Sequence, residues 1–301
     1  MGFRTLDIGK ECEIHIKDGQ LEISMDEGRV YIPIEDLNQI TAHGANIRLS
    51  TMDLSILTSS GVAFTTMDDK YLPTAIVLPF DGNSRQSAVM HKQVSTDSFI
   101  YKRLWIEIIR KKIINQATVL RLLHKEGAET IEDYAININD ENVDYNEAIA
   151  AKKYFESYQL GLNRREESPI NSKLNYGYAV VRSCIARSLV TSGFHPSFGI
   201  HHSNQTNAFN LADDLIEPFR PCVDLLAKKT ESESVRLSKE ERREMSSILY
   251  NACICDNTKI SITTAVDMMV ESLKRIIMDD SNEELVLPTV LPIEILEGVS
   301  E

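Results

Sequence analysis

Long apolar runs are missing from this chain of 301 residues. None reaches the roughly 18 to 20 residues that would span a bilayer, and the opening MGFRTLDIGK has no apolar stretch of the kind a secretion signal needs. The expectation is a soluble, cytoplasmic protein without a membrane partner. Cysteine is scarce as well. Cys12, Cys184, Cys222, Cys253 and Cys255 are odd in number and show neither CxxC spacing nor a framework pattern. That argues against a disulfide scaffold and against structural zinc, and predicts reduced thiols. Positive charge is in deficit: 32 Lys and Arg stand against 45 Asp and Glu, for a net charge of -13. Affinity for phosphates comes from neutralising them, so this balance speaks against indiscriminate nucleic-acid binding, although a local basic surface can coexist with an acidic remainder. Internal repeats and low-complexity tracts are absent too. What remains is ordinary: 43% apolar residues and a mean hydropathy of -0.20 suit a soluble chain that buries a sizeable core and has room for two domains.

The apolar residues change period along the chain. In CEIHIKDGQLEIS, Cys12, Ile14 and Ile16 alternate with Glu13, His15 and Lys17; after Asp18-Gly19, Leu21 and Ile23 alternate with Glu22 and Ser24. Asp-Gly tolerates the positive φ a tight turn requires, so this predicts a hairpin. Val30, Ile32 and Ile34 continue the alternation after a turn at Asp26-Glu27-Gly28, and NIRLS and VAFTTM read as further strands. Between them Ser50, Asp53 and Gly61 suit the cap and stop of one short helix. Residues 1–75 therefore form a β-rich domain. Residues 76–97 mix Pro, Gly, Ser and Asn without a sustained period and read as a linker or mobile loop. Beyond it the period is helical. Residues 98–123 are apolar nearly all round, Leu174, Tyr178, Val181, Ile185 and Leu189 form one stripe, and Leu215, Phe219, Cys222, Val223 and Leu226 another. Segments 238–254 and 259–278 read as helices, and the tail 279–301, with Pro288 and Pro292, as extended or partly disordered. The predicted class is α+β, a small β-rich domain followed by a larger all-α domain over 98–278.

Chemistry-bearing residues concentrate in GIHHSNQTNAFNLADDLIEPFRP, residues 199–221. Asp213, Glu217 and Arg220 share the side of a helix opposite the Leu215 stripe, with Asp214 at its flank. Acids near a helix start also complement the dipole and cap free N–H groups. His201 and His202 are adjacent, so they point to different sides and at most one serves a given site. Upstream, Ala151, Tyr154, Phe155 and Tyr158 mark an inward stripe, and Glu147 lies on the same face. An inward carboxylate needs a partner. One reading is a capping box, Asp144-x-x-Glu147, in which the glutamate returns to the chain's own N–H. The other is a Glu, His and acid cluster for a divalent cation, where oxygen-rich ligation with one imidazole favours Mg²⁺ or Mn²⁺. Periodicity leaves both open.

Several blocks together resemble the CRISPR-associated spacer integrases, the adaptation nucleases of CRISPR systems, in their type II form. They are the opening GFRT, DDKYLPTAIVLPFDG at 68–82, IRKKIINQ at 109–116, NEAIAAKKYF at 146–155, SPINSKLNYGYAVV at 168–181, and the stretch ending in DDLIEPFRP. The resemblance implies a β-rich N-terminal domain for dimerisation and partner contacts ahead of a helical catalytic domain. It also implies a catalytic metal triad: Glu147 in NEAIAAKKYF, His202 before Ser203-Asn204, and Glu217 in LIEPFRP, where many members have aspartate. Asp214 matches an accessory acid, and no role carries over to His201. The implied activity is Mg²⁺- or Mn²⁺-dependent joining of short double-stranded DNA fragments, the spacer precursors, into a repeat array, with DNA cleavage as a side reaction. The implied partners are a second copy of the chain, the small ferredoxin-like adaptation protein, and other type II CRISPR proteins. A non-catalytic DNA-binding scaffold subunit of the same complex is the alternative.

DNA contacts are assigned less directly. Lys102, Arg103, Arg110, Lys111 and Lys112 make the helix over 98–123 basic, and Lys111 and Lys112 fall in the IRKKIINQ block. They are either DNA contacts or the solvated edge of a buried helix, supported by a Glu107–Lys111 pair. Arg220, three residues after Glu217, holds a phosphate or pairs with an acid. Tyr176 is a further candidate DNA contact, whereas Tyr178 lies on the core stripe. Asn171 and Asn204 are supporting positions.

Overall fold

The computed structural model describes residues 4–43, 46–67, 73–80, 85–159, 166–229 and 234–296. The predicted alternation appears directly in β2 (Cys12–Lys17), which follows β1 (Arg4–Ile8): Cys12, Ile14 and Ile16 are buried while Glu13, His15 and Lys17 face solvent. Asp18 and Gly19, at φ of 52° and 75°, turn the chain into β3 (Gln20–Met25), which pairs antiparallel with β2 so that Ile16 faces Leu21. Next come β4 (Gly28–Pro33), β5 (Leu37–His43), β6 (Ile47–Leu49), α1 (Thr51–Ser59), β7 (Ala63–Met67) and β8 (Pro73–Val77). They complete two four-stranded sheets, ordered β4-β3-β2-β6 and β1-β5-β7-β8. The sheets enclose a core around Ile14, Leu21, Ile40, Leu57 and Phe64. Ser50 and Asp53 form the expected capping box on α1. Asp53 also accepts from the Ile16 N–H at 2.8 Å, which ties the helix to β2.

Part of the stretch read as a linker is a packed helix, α2 (Gln86–Ser95). Its Gln93 side chain donates to the carbonyls of His195 and Phe198 at 3.0 and 2.8 Å and accepts from the His195 N–H. Only one apolar side chain of α2, Val89, is fully buried, so no apolar period announced it.

The remainder is mostly helical. α3 (Ser98–Leu122) runs through its interior and buries Leu104, Ile108, Ile109, Ile113, Val119 and Leu120. Against it pack α4 (Ala128–Ile136), α5 (Val143–Gln159) and α8 (Arg220–Ala227). α6 (Pro169–Thr191), capped by Ser168, is buried along most of its length, and Gly177 lets α8 approach it closely. A Cβ at Gly177 would stand 2.5 Å from Val223 Cγ1. α7 (Asn210–Leu215) and α8 are separated by a 3₁₀ turn, Glu217–Phe219, where Pro218 removes an N–H.

The helix expected over 238–254 stops early. α9 (Lys239–Ser246) and a 3₁₀ turn lead into β9 (Asn251–Cys255), which turns at Asp256 and Asn257, both at positive φ, into β10 (Thr258–Ser261). After α10 (Ile262–Asp279) the tail contributes β11 (Thr289–Ile295), and the three strands make a sheet ordered β10-β9-β11. The class is α+β, with a second part that is mostly helical and carries one small sheet. All five cysteines are buried and unbridged.

Candidate metal centre

α5 buries Val143, Ala150 and Tyr154. One turn after Val143, Glu147 emerges toward α3, where Lys112 Nζ donates to its Oε1 at 2.5 Å. The capping box does not form: Asp144 lies inside the first turn of α5 and accepts from Trp105 Nε1 at 3.2 Å. Glu217 reaches the same ammonium from the opposite side. The 3₁₀ turn that carries it is fastened to α3 by Asn115, whose amide donates to the carbonyls of Pro218 and Pro288 at 2.8 and 2.9 Å. Glu217 Oε1 accepts from Arg220 Nε at 2.8 Å, and Oε2 lies 2.6 Å from Lys112 Nζ as an ion pair without an aligned hydrogen bond. Two acids distant in sequence thus converge on one buried cation.

Burial would push the Glu217 carboxyl up, but the Arg220 guanidinium and the Lys112 ammonium outweigh it and hold the group at about 2. Burial likewise opposes the charge of Lys112, yet Glu217 and Glu147 keep the ammonium above its usual range. Arg220 is raised in the same way by Glu217. All three groups are therefore charged at neutral pH.

His202 is set by a second acid. Asp214 is wholly buried, and the loop 200–202 wraps it: Oδ2 accepts from the N–H groups of Ile200 and His201 at 2.6 and 3.0 Å, and Oδ1 from that of His202 at 3.2 Å. Successive N–H groups turned onto one carboxylate form an anion-binding nest. Gly199 makes room for it, since a Cβ there would stand 2.3 Å from the His202 carbonyl oxygen and 2.7 Å from Asp214 Oδ2. The His202 ring joins the nest through Nδ1, 2.5 Å from Asp214 Oδ1. That bond raises the imidazole above its ordinary value, with Glu217 adding to the effect. A histidine tied through Nδ1 presents Nε2 outward, the arrangement in which a carboxylate orients a metal-ligating imidazole. Asp214 is accordingly an orienting acid.

The adjacent histidines do not part company: their rings meet edge to face, 5.5 Å apart with planes at 86°, and both lie against Trp105. His201 stacks on Trp105 with ring centroids 4.2 Å apart, and its Nε2 lies 3.5 Å from Asp144 Oδ1. Trp105 also meets the edge of His202 at 5.8 Å. Trp105 and Asp144 thus brace the loop that carries His202, a role the sequence did not suggest.

The other assigned residues scatter. Asp213 is engaged by Arg182 at 2.7 Å. Lys111 turns to the other side of α3 and donates to Thr289 Oγ1 at 2.9 Å; the Glu107–Lys111 pair gives way to Arg103–Glu107 at 3.2 Å. Tyr176 is not a surface for DNA: it is fully buried where the β-rich and helical parts meet, its hydroxyl donating to Asp7 Oδ1 at 3.0 Å beside Ser246. Lys112 is buried between two acids and offers no exposed DNA contact. Its role was legible in part, because Leu104, Ile108 and Lys112 recur every four residues, which places the lysine on the buried stripe of α3.

The donor set suits a hard divalent cation: two carboxylates and one oriented imidazole nitrogen, with Glu217 Oε2 accepting no aligned hydrogen bond. Among the described residues, no three His, Cys, Asp or Glu side chains are close enough together to hold an ion as they stand. Among those residues, too, no helix is long and apolar enough to cross a membrane.

The family model described as CRISPR associated protein Cas1 matches residues 8–250. A CRISPR-associated endonuclease Cas1 from Neisseria meningitidis serogroup C (strain 8013) is 29% identical over 299 residues, covering 98% of both chains. A solved casposase bound to integration product has a similar fold, with a TM-score of 0.76 at 18% identity over 94% of this chain and 92% of that one. So has a chain of a Cas6-RT-Cas1–Cas2 complex, with a TM-score of 0.72 at 16% identity over 96% of this chain and 36% of that one.

Proposed function

The chain belongs to the Cas1 family of CRISPR-associated proteins, and from that premise we propose that it is a metal-dependent DNA integrase and endonuclease that inserts spacer fragments into a CRISPR repeat array. The observation that carries this reading is the convergence of Glu147 and Glu217 on a single point, 2.5 and 2.6 Å from the same nitrogen, beside an imidazole held by Asp214. A scaffold has no use for two inward carboxylates at one point.

In this reading Glu147, Glu217 and His202 Nε2 hold Mg²⁺ or Mn²⁺. When bound, the ion polarises the phosphoryl oxygens and neutralises charge on the leaving oxygen. The chain's own residues do the rest. Asp214 holds the His202 ring through Nδ1 and leaves Nε2 available as a ligand, and Trp105 and His201 keep the loop from shifting. Arg220 seats Glu217 and fixes which of its oxygens faces Glu147. The 3'-hydroxyl of a fragment gives up its proton and attacks the phosphodiester at the repeat boundary; its oxygen bonds to phosphorus, the bond to the flanking nucleotide's 3'-oxygen breaks, and that oxygen takes up a proton and leaves as a 3'-hydroxyl. With water as the attacking group, the same geometry cleaves DNA. No covalent nucleophile of the protein is required.

The related Neisseria protein is named an endonuclease, which supports the cleavage activity, and the casposase structure holds an integration product, which supports the joining. The Cas6-RT-Cas1–Cas2 assembly supports a small ferredoxin-like adaptation protein of the Cas2 type as partner. We assign the working unit as a homodimer in the cytoplasm. The alternative, a non-catalytic DNA-binding scaffold of the same complex, is separated by one assay: strand transfer of a short duplex with free 3'-hydroxyls into a repeat-containing plasmid, with Mn²⁺ or Mg²⁺ and the partner protein. The expected result is product that requires the ion and falls by at least about a hundredfold in His202→Ala while DNA binding persists. Wild-type protein that binds DNA but gives no product would move the assignment to the scaffold.

A further inference from the structure

We infer that Lys112 is a built-in counter-cation of the metal centre, competing with a divalent ion for the oxygens of Glu147 and Glu217 and holding the free protein's affinity for that ion low. The inference rests on the reading of those acids as metal ligands and adds a residue that acts on the metal without ligating it.

The geometry is specific. Lys112 lies on α3 among Ile108, Ile109 and Ile113, all buried, so an ammonium there is costly unless paired. Its pairing is twofold, at 2.5 Å to Glu147 Oε1 and 2.6 Å to Glu217 Oε2. The oxygen of Glu217 that it faces is the one Arg220 leaves over, since Arg220 Nε takes Oε1 at 2.8 Å. An ion drawing on Oε1 of Glu147 and Oε2 of Glu217 therefore needs the two oxygens Lys112 already holds, and would meet the ammonium at contact range. Like charges at that range repel strongly in a buried site.

The chemistry of the two cations at the site sorts their roles. Arg220 is a planar fork, fixed over the Tyr178 ring with its guanidinium carbon 4.6 Å from the centroid, and is positioned to stay. Lysine is a point charge on four rotatable carbons and can swing aside. Without Lys112 only Arg220, on the far oxygen of Glu217, would offset the charge of the two acids, so the lysine helps hold the ligand set together. With it, an ion must displace a covalently tethered competitor. A phosphodiester changes that balance, because its oxygens can ligate the ion and receive the displaced ammonium together. Metal and DNA are then coupled ligands, each raising the affinity for the other.

The test is Mn²⁺ binding to the full chain, with no activity involved. Isothermal titration at low ionic strength compares wild type with Lys112→Met, folding being checked by circular dichroism. Competition predicts that Lys112→Met binds Mn²⁺ at least about tenfold more tightly and that a non-cleavable duplex raises Mn²⁺ affinity more in wild type than in the variant. Equal or weaker binding by a folded Lys112→Met would overturn the inference. Should that variant fail to fold, wild type suffices: amine acetylation read by mass spectrometry is expected to reach Lys112 at least severalfold faster with Mn²⁺ than without, and labelling indifferent to Mn²⁺ would overturn it. Mn²⁺ binding that Lys112 does not influence breaks only this proposal, whereas wild type that binds no Mn²⁺, with or without DNA, breaks the metal reading as well.

Discussion

Glu217 and Asp224 sit seven residues apart, one on the turn before α8 and the other on α8 itself, and both are buried. Their surroundings have little in common. Glu217 is held by two cations, Arg220 and Lys112. Asp224 is caged by phenols: Tyr154 donates to Oδ2 at 2.8 Å, Tyr178 to Oδ1, and Tyr158 to the backbone carbonyl at 2.7 Å. Burial, helped by the charge of Asp224, pushes the Tyr154 hydroxyl well above its ordinary value, so it stays a donor at any pH the fold survives. Phenols satisfy a carboxylate without charge and cannot be traded for an ion without orphaning their own hydroxyls. Cations around a carboxylate can be traded for another cation. The first arrangement is architecture, and the second is compatible with chemistry.

The comparison breaks most visibly at Asp224. Asp224→Ala removes the carboxylate that accepts from the Tyr154 and Tyr178 hydroxyls, and the expected cost is about 3–5 kcal/mol of stability, with no recovery on adding Mn²⁺. Glu217→Gln keeps an acceptor for Arg220 and should cost less stability than Asp224→Ala, yet lose strand transfer by at least about a hundredfold. Thermal unfolding and the integration assay on the same two variants decide the matter. If Glu217→Gln unfolds as readily as Asp224→Ala, the distinction between architecture and chemistry fails.

A smaller effect separates the two acids by pH. The folded-state value of Glu217, about 2, lies below the ordinary 4.5. Its stabilising contribution is therefore complete above pH 4.5 and lost as the pH falls from there toward about 2. The drop expected across that window is about 3 kcal/mol. Denaturant midpoints measured through it should fall for wild type and flatten for Glu217→Gln, with Lys112→Met intermediate because Arg220 remains. A variant that tracks wild type through the window would show that the acid loss arises elsewhere.

How much of this was legible in the sequence follows from the range of the forces involved. The alternation of Cys12, Ile14 and Ile16 reports its own burial, because a strand's two faces are written into neighbouring residues. The Ser50–Asp53 cap is local for the same reason. NACIC was misread as helix because its short apolar run fits either period, and the turn that decides it, Asp256-Asn257, lies just beyond. Resemblance pointed to Glu147, His202 and Glu217, and the orientation of the latter two depends on contacts that can be traced: Asp214 for His202, and the Asn115 clasp for Glu217. The central fact of the site, one ammonium between two acids, joins residues 112, 147 and 217. No local pattern encodes that meeting. The lysine's place on a buried stripe hinted that it needed partners but not which ones. Tyr176 failed as a DNA contact because an aromatic at a junction between two cores looks, in sequence, like an aromatic at a surface.

The smallest expected effect is at Tyr178, which touches both acids' surroundings: its hydroxyl binds Asp224 and its ring lies under the Arg220 guanidinium. Tyr178→Phe removes the hydrogen bond and keeps the ring. Asp224 retains Tyr154, so the loss should be about 1–2 kcal/mol, and because Arg220 still has its platform, strand transfer should stay within about threefold of wild type. Tyr178→Leu removes the platform as well, and there activity should fall further than stability does. If Phe and Leu behave alike in the integration assay, the ring contributes nothing to seating Arg220. If Phe alone abolishes activity while the fold holds, the hydroxyl couples Asp224 to Glu217, and the two acids are one electrostatic unit rather than a structural centre beside a chemical one.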